Sequence, residues 1–232
     1  MTVLKQKPYF VLHTSTEGCP YDIRLNDITV DADPRGGGMG LPMPVNDKIL
    51  PGKNTISIHL KQTPELVKLF REHNVTCQAS ATLTVRPIGT PEKDDQVIAS
   101  VKYDSGGPIM IDDTGTITGS SKDGQLDSSK NFEHVAQDGD VDVGLVHIRH
   151  SEHHGESELV ISRSIVLPDY LPKWPWAEGE TIPDDNQTKQ ALIKQYLHIY
   201  YLMTAKKFDE LKELFKQSDD LTTKSSYGEI PG

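Results

Sequence analysis

The densest set of side chains able to do chemistry is His147-Ile-Arg-His150-Ser-Glu-His153-His154, four imidazoles within eight residues. Neutral imidazoles are ligands for zinc or copper. A metal needs them on one side of the backbone. His147 and His150 are three apart, which on a strand sends them to opposite faces. The second Cys or His pair that zinc-finger spacing demands is missing. The cluster therefore reads as a solvated hairpin tip, and no metal is expected. A metal-dependent enzyme built on it ranks behind the binding functions below.

Asp138-Gly-Asp140-Val-Asp142 sets carboxylates at alternate positions, as calcium loops do. An EF-hand starting there needs Gly sixth and Glu twelfth. Those places hold Val143 and Arg149, so the segment reads as an acidic turn entering a strand. Nucleophilic chemistry finds no frame either: there is no G-x-S-x-G elbow, H-E-x-x-H or P-loop. Asp94-Asp95 and Asp112-Asp113 fall in polar turns, without the burial that tunes catalytic carboxylates. The glycines of Asp33 to Gly40 lack the strand-before, helix-after setting of a nucleotide loop. We expect no catalytic residues, no cofactor and no enzymatic activity.

Aromatic residues remain. Trp174 and Trp176 stand in the stiff run Pro168-Asp-Tyr-Leu-Pro-Lys-Trp-Pro-Trp176. They either anchor a partner or pin the following helices; pinning is favoured, because a broadly apolar helix must be covered. Tyr196, Tyr200 and Tyr201 lie on that helix and are natural contact residues if it is exposed.

These residues need elements to hold them. Thr55-Ile-Ser-Ile-His-Leu60 alternates cleanly, with Ile56, Ile58 and Leu60 on one face. Strands are also expected over Tyr9 to Thr14, Tyr21 to Leu25, Ile28 to Val30, Val75 to Pro87, Gln96 to Tyr103, Val141 to His150 and Glu156 to Leu167. Asn26-Asp27 makes a hairpin turn. One short helix interrupts near 63–74, capped by Thr63 with Pro64 in its first turn. Ser105 to Lys130 reads as a long loop or a pair of small hairpins. Beyond the Pro-Trp run, Thr181-Ile-Pro-Asp-Asp185 is expected to open a helix that Gln187 to Lys206 continue, and Phe208 to Gln217 to form a second, with a frayed tail from Ser218.

The fold class that follows is mainly β: an antiparallel β-sandwich, jelly-roll-like, over 1–170, and a linker with a helical hairpin over 171–232. Only 35% of the 232 residues are hydrophobic, and 18 Gly and 15 Pro supply the turns that many short strands require. The net charge of −10 and the absence of basic clusters argue against nucleic acid. No run approaches the ~20 apolar residues of a membrane helix, and no secretory signal is visible. The expected compartment is the cytoplasm, where Cys19 and Cys77 would be free thiols. Whether they instead face each other on neighbouring strands is left open.

Tyr21-Asp-Ile-Arg-Leu-Asn26, followed by Pro44-Val-Asn46-Asp-Lys-Ile-Leu-Pro51-Gly52-Lys53-Asn54-Thr-Ile-Ser-Ile58, resembles the jelly-roll pattern of galactose-binding-like domains. That likeness implies a sugar-binding or structural module, although the sequence offers no evident aromatic set for stacking. The order of sandwich, Leu171-Pro-Lys-Trp-Pro-Trp176 linker and Ile182-Pro-Asp-Asp-Asn-Gln-Thr188 helix start is similar to immunity and accessory proteins of bacterial type VI secretion. This second likeness implies a non-catalytic protein that binds and neutralises a cognate toxin. The alternatives are a carbohydrate-binding module and a secretion adaptor or chaperone for an effector. A homodimer is compatible with each.

Overall fold

The computed structural model describes residues 2–36, 40–62, 72–73, 76–108, 110–111, 117–118, 141–153, 156–179, 182–225 and 227. The chain divides into two compact units, Met1–Pro172 and Lys173–Gly232.

The first unit is a sandwich of two antiparallel sheets. One holds β4 (Pro42–Pro44), β1 (Pro8–Glu17), β6 (Thr76–Pro87) and β7 (Gln96–Pro108), in that order. The other holds β10 (Asp142–His153), β11 (Glu156–Leu167), β5 (Gly52–Gln62), β2 (Tyr21–Leu25) and β3 (Ile28–Asp33). A two-stranded ribbon pairs β8 (Met110–Ile111) with β9 (Ile117–Thr118) inside the segment read as loop or hairpins. The expected strands all form, most of them longer than read, and β2 and β11 keep their expected bounds. Of the helix expected near 63–74 only Glu72 and His73 are described, and both are helical.

Alternation builds the core. Ile56, Ile58 and Leu60 are fully buried, in register with Leu25, Ile23 and Tyr21 on one side. On the other side they meet Arg163, Ile161 and Leu159. The four-stranded sheet answers with Leu12, Leu83, Val85 and Val101, all in the same apolar cluster. Each such side chain contributes about 1.5–3 kcal/mol by leaving water.

Arg163 breaks the apolar row and has a specific task. It is 6% exposed and sits between the sheets. Its Nε donates to the Gly144 carbonyl at 2.9 Å and its Nη1 to the Ser100 carbonyl at 3.0 Å. Gly144 lies where β10 shifts register, and a Cβ there would collide with Ser164. Ser100 belongs to β7 in the opposite sheet. One guanidinium thus joins the bulged edge strand to the facing layer, and burial pulls its pKa below the ordinary arginine value. Arg163→Met should take a donor from the buried Ser100 carbonyl and from the part-buried Gly144 carbonyl and cost roughly 2 kcal/mol, read as a lower urea midpoint at unchanged slope.

Cys19 and Cys77 form a disulfide across a separation of 58 residues. This corrects the expectation of free thiols. Cys19 follows β1 at the corner where the chain leaves one sheet for the other, and Cys77 opens β6; β1 and β6 are neighbours, which brings the two together. Both are buried. Gly36 approaches this corner so closely that a Cβ would come within 2.8 Å of the Cys19 carbonyl carbon, and its φ of +73° suits glycine.

The second unit holds α1 (Asn186–Thr204) and α2 (Phe208–Ser225). Asp185, at the N-cap, accepts a hydrogen bond from the Thr188 N–H at 2.7 Å, which holds its carboxyl below its ordinary pKa. The sequence placed the start of the helix earlier, near Thr181. At the far end Lys206 takes φ +57°, with Lys207 N–H donating to Leu202 and Lys206 N–H to Met203. That is a Schellman ending with lysine where glycine is usual. The helix α2 runs to Ser225, so Ser218 to Ser225 is helical rather than frayed. Among the described residues no helix is long and apolar enough to cross a membrane.

Candidate functional site

Among the described residues three places gather functional side chains. The first is the outward face of β5. Ser57 and His59, two apart on one strand, share that face. Ser57 Oγ lies 2.9 Å from His59 Nε2, and His59 Nδ1 lies 3.1 Å from Glu158 Oε1. This is the contact order of a Ser-His-acid triad. Sequence motifs could not find it, because it fits no elbow pattern, although Ser-x-His on a strand was a usable signal.

The arrangement lacks what a working triad needs. The Glu158 oxygen is off the direction of the ring N–H, and neither atom makes a hydrogen bond. Ser57, His59 and Glu158 are 4%, 3% and 6% exposed, which shuts out a substrate. β5 is paired on both sides, with β11 and with β2, so its backbone N–H groups are committed to ladders and cannot form an oxyanion hole at Ser57. Beside it, Asp22 Oδ2 accepts from Arg24 at 2.6 and 2.8 Å, and Asp22 Oδ1 accepts from Thr29 Oγ1 at 2.9 Å. The Asp22 contact raises the Arg24 pKa above its ordinary value. The face is a cross-linked polar layer.

The second place is the outward face of the four-stranded sheet. His13 Nε2 lies 3.1 Å from both Thr84 Oγ1 and Asp95 Oδ2. One ring nitrogen thus faces both partners, whereas a triad uses opposite nitrogens. His13, Glu92 and Asp95 bring ligand atoms within 4.8 Å of one another. Asp95 is already engaged, its Oδ1 receiving Arg86 at 2.6 Å and its Oδ2 receiving Thr84 at 3.0 Å. A guanidinium against the carboxylate opposes a divalent cation there. The Arg86 guanidinium also lies 5.1 Å from the Tyr9 ring centroid. The cluster fastens the turn before β7 onto β1 and β6.

Further along this face a shallow concavity of about 310 Å³ is lined by Ser15, Glu17, Gln78, Ser80, Lys102 and Asp104. Tyr103 also borders it, but is 3% exposed; burial pushes its phenol up to about 12. A sugar platform needs an exposed ring, and this lining supplies none.

The third place is the helical hairpin. Ile193, Tyr196, Leu197, Tyr200 and Tyr201 are 57%, 72%, 61%, 67% and 53% exposed. They follow the i, i+3, i+4, i+7, i+8 pattern of one helix face. The positions of α1 that lose exposure, Thr188, Ile199 and Leu202, fall on another side. Phe208, Leu214 and Phe215 add exposed apolar surface from α2. Of the two tryptophans, Trp174 is 8% exposed and Trp176 half-buried, flanking and entering the turn Pro175–Glu178. The tyrosines among the expected contact residues are therefore open to solvent, while Trp174 is not.

No family model, curated protein or solved structure matches this chain.

The His147–His154 set is described in backbone only, up to His153. His147 stands opposite Ser162 and His150 opposite Leu159, at positions of opposite parity on β10. His154 and the Asp138-to-Asp140 carboxylates lie outside the described residues.

Proposed function

We propose that this chain acts without catalysis, by binding another protein, and that its task is immunity: holding a cognate toxin inactive. The observation that carries the reading is the open face of α1. Solvent-exposed apolar surface of this extent marks an interaction site, and tyrosines are favoured anchors because they bury much area at little entropic cost. A helix face with this spacing suits an apolar groove. The net charge of −10 adds attraction for a basic toxin. The polar layers on both sheets act in this reading as structural faces.

The disulfide changes the compartment we propose. Buried, paired cysteines persist where the surroundings are oxidising, so an oxidising compartment is favoured over the cytoplasm.

The test is protection of cells from the toxin encoded beside this chain, with co-purification as the second readout. Wild type should protect and bind. Tyr196→Asp together with Tyr200→Asp should weaken binding by at least tenfold while the thermal unfolding of the sandwich stays unchanged, since aromatic anchors carry about 2 kcal/mol each. A wild-type chain that neither binds nor protects would sink the proposal. Binding without protection would instead identify a secretion adaptor.

A further inference from the structure

We propose that Arg163 closes the long side of the sandwich: by holding one carbonyl of β7 and one of β10, it keeps these two end strands from pairing with a strand of another molecule.

In the described sheets β7 and β10 stand last in their layers. They lie on the same side of the sandwich, since one guanidinium reaches both. The opposite side ends in β4 and β3. An end strand carries a row of ladder groups that a foreign strand can complete; short length, proline and charge are common protections. The opposite side has all three. β4 spans 3 residues and contains Pro42 and Pro44, and β3 spans 6 and carries Asp31 and Asp33. β7 and β10 are far longer, at 13 and 12 residues. Lys102 and Asp104 on β7, and Asp142, Arg149 and Glu152 on β10, are their charged residues. These leave two stretches bare: 97–101 and 143–148 contain no Asp, Glu, Lys, Arg or Pro. Uncharged runs rich in β-branched residues are the segments that add strands most readily.

Arg163 enters both bare stretches. Its acceptors are the Ser100 carbonyl in the first, at 3.0 Å, and the Gly144 carbonyl in the second, at 2.9 Å. An inward-pointing charge and a bulge are two further ways of spoiling an edge for pairing, and both meet here. β10 shifts register between Val143 and Val146, and β7 shifts where Ile98 falls between the partners of Leu83 and Thr84. Burial agrees with a closed side. Ile98, Ala99, Ser100 and Val101, consecutive residues of an end strand, are each 4% exposed or less. A methionine at 163 would fill much of the same space and hold neither carbonyl.

Light scattering of the full chain, followed over hours under conditions where each variant is folded, tests the proposal. Arg163→Met should raise the weight-average mass at least about twofold over the wild type, because each opened edge can accept a strand. Asn26→Ala, at the far side of the same sheet, is expected to lose a similar amount of stability and should keep the wild-type mass. Amide exchange over 97–101 and 143–148 should quicken in Arg163→Met and stay unchanged in Asn26→Ala. A folded Arg163→Met chain that keeps the wild-type mass, or associates without faster exchange in those stretches, overturns the proposal. Equal association of both variants also overturns it, since lost stability alone would then be the cause. Should Arg163→Met not fold, Arg163→Lys decides by the same readings, because it keeps the charge and lacks the planar fork that spans two carbonyls.

Discussion

Opening the Cys19–Cys77 bond should cost the sandwich about 4 kcal/mol, the amount a closed loop of this size withholds from the unfolded chain. For a domain of this length that lowers the melting temperature by roughly 10 °C. The site amplifies the effect. The bond ties the corner between β1 and β2, where the chain changes sheets, to the start of β6. Without it the corner is free to lift, and Gly36 loses the surface it packs against. Native protein should show no titratable thiol, and reduction should proceed only as the sandwich opens, because Cys19 and Cys77 are 1% and 0% exposed. Melting curves of the wild type and of the Cys19→Ala, Cys77→Ala pair, with and without reductant, test this. Reductant should shift the first and leave the second where it is. Equal melting temperatures for oxidised wild type and double variant would show that the bond does not hold the corner.

The second large effect is expected at Asn54, which is fully buried. Its Oδ1 accepts from Leu50 N–H and Asn26 Nδ2, both at 2.8 Å. Its Nδ2 donates to Leu50 O at 2.8 Å and Gly52 O at 3.0 Å. Asn26 continues the chain of contacts by donating to Lys48 O and accepting from Thr55 N–H. Asn46, nearby in sequence, accepts from Phe10 N–H at 2.7 Å and donates to Pro8 O at 2.8 Å. These amides stand in for the strand ladders where the backbone turns. Asn54→Ala removes four bonds at once and leaves buried groups unpaired, so a loss of about 3–5 kcal/mol is expected. Asn26→Ala should cost about half as much. Because the two amides touch, the double variant should lose measurably less than the sum of the singles. Additive losses in urea unfolding would mean that the amides act separately.

These amides also explain what a motif can and cannot say. Asn26, Asn46 and Asn54 are the residues that carried the likeness to galactose-binding-like domains. The structure uses them to brace loops, with Asn26 and Asp27 at φ +54° and +61° making the hairpin turn that the sequence indicated. A pattern of turn residues records how the backbone bends and leaves the ligand unspecified.

The strands of the sandwich were legible because a half-buried strand writes its two faces into alternate residues, as Ile56, Ile58 and Leu60 show against Ser57 and His59. The helix pair was legible from the 3.6-residue period and the Asp, Pro and Thr residues before it. The exposed stripe of α1 was partly legible too, since apolar residues covering more than half a helix call for a partner. Tertiary structure alone decided the rest. The pairing of Cys19 with Cys77 depends on β1 meeting β6, which are far apart in sequence. Arg163 looked like one polar residue in a strand until the facing sheet supplied Ser100 as its acceptor. The Ser57, His59 and Glu158 contact exists only because β11 lies beside β5, and the ladders on both sides commit the backbone N–H groups around Ser57. Local periodicity fixes which face a side chain takes; only the order of strands fixes what it meets there.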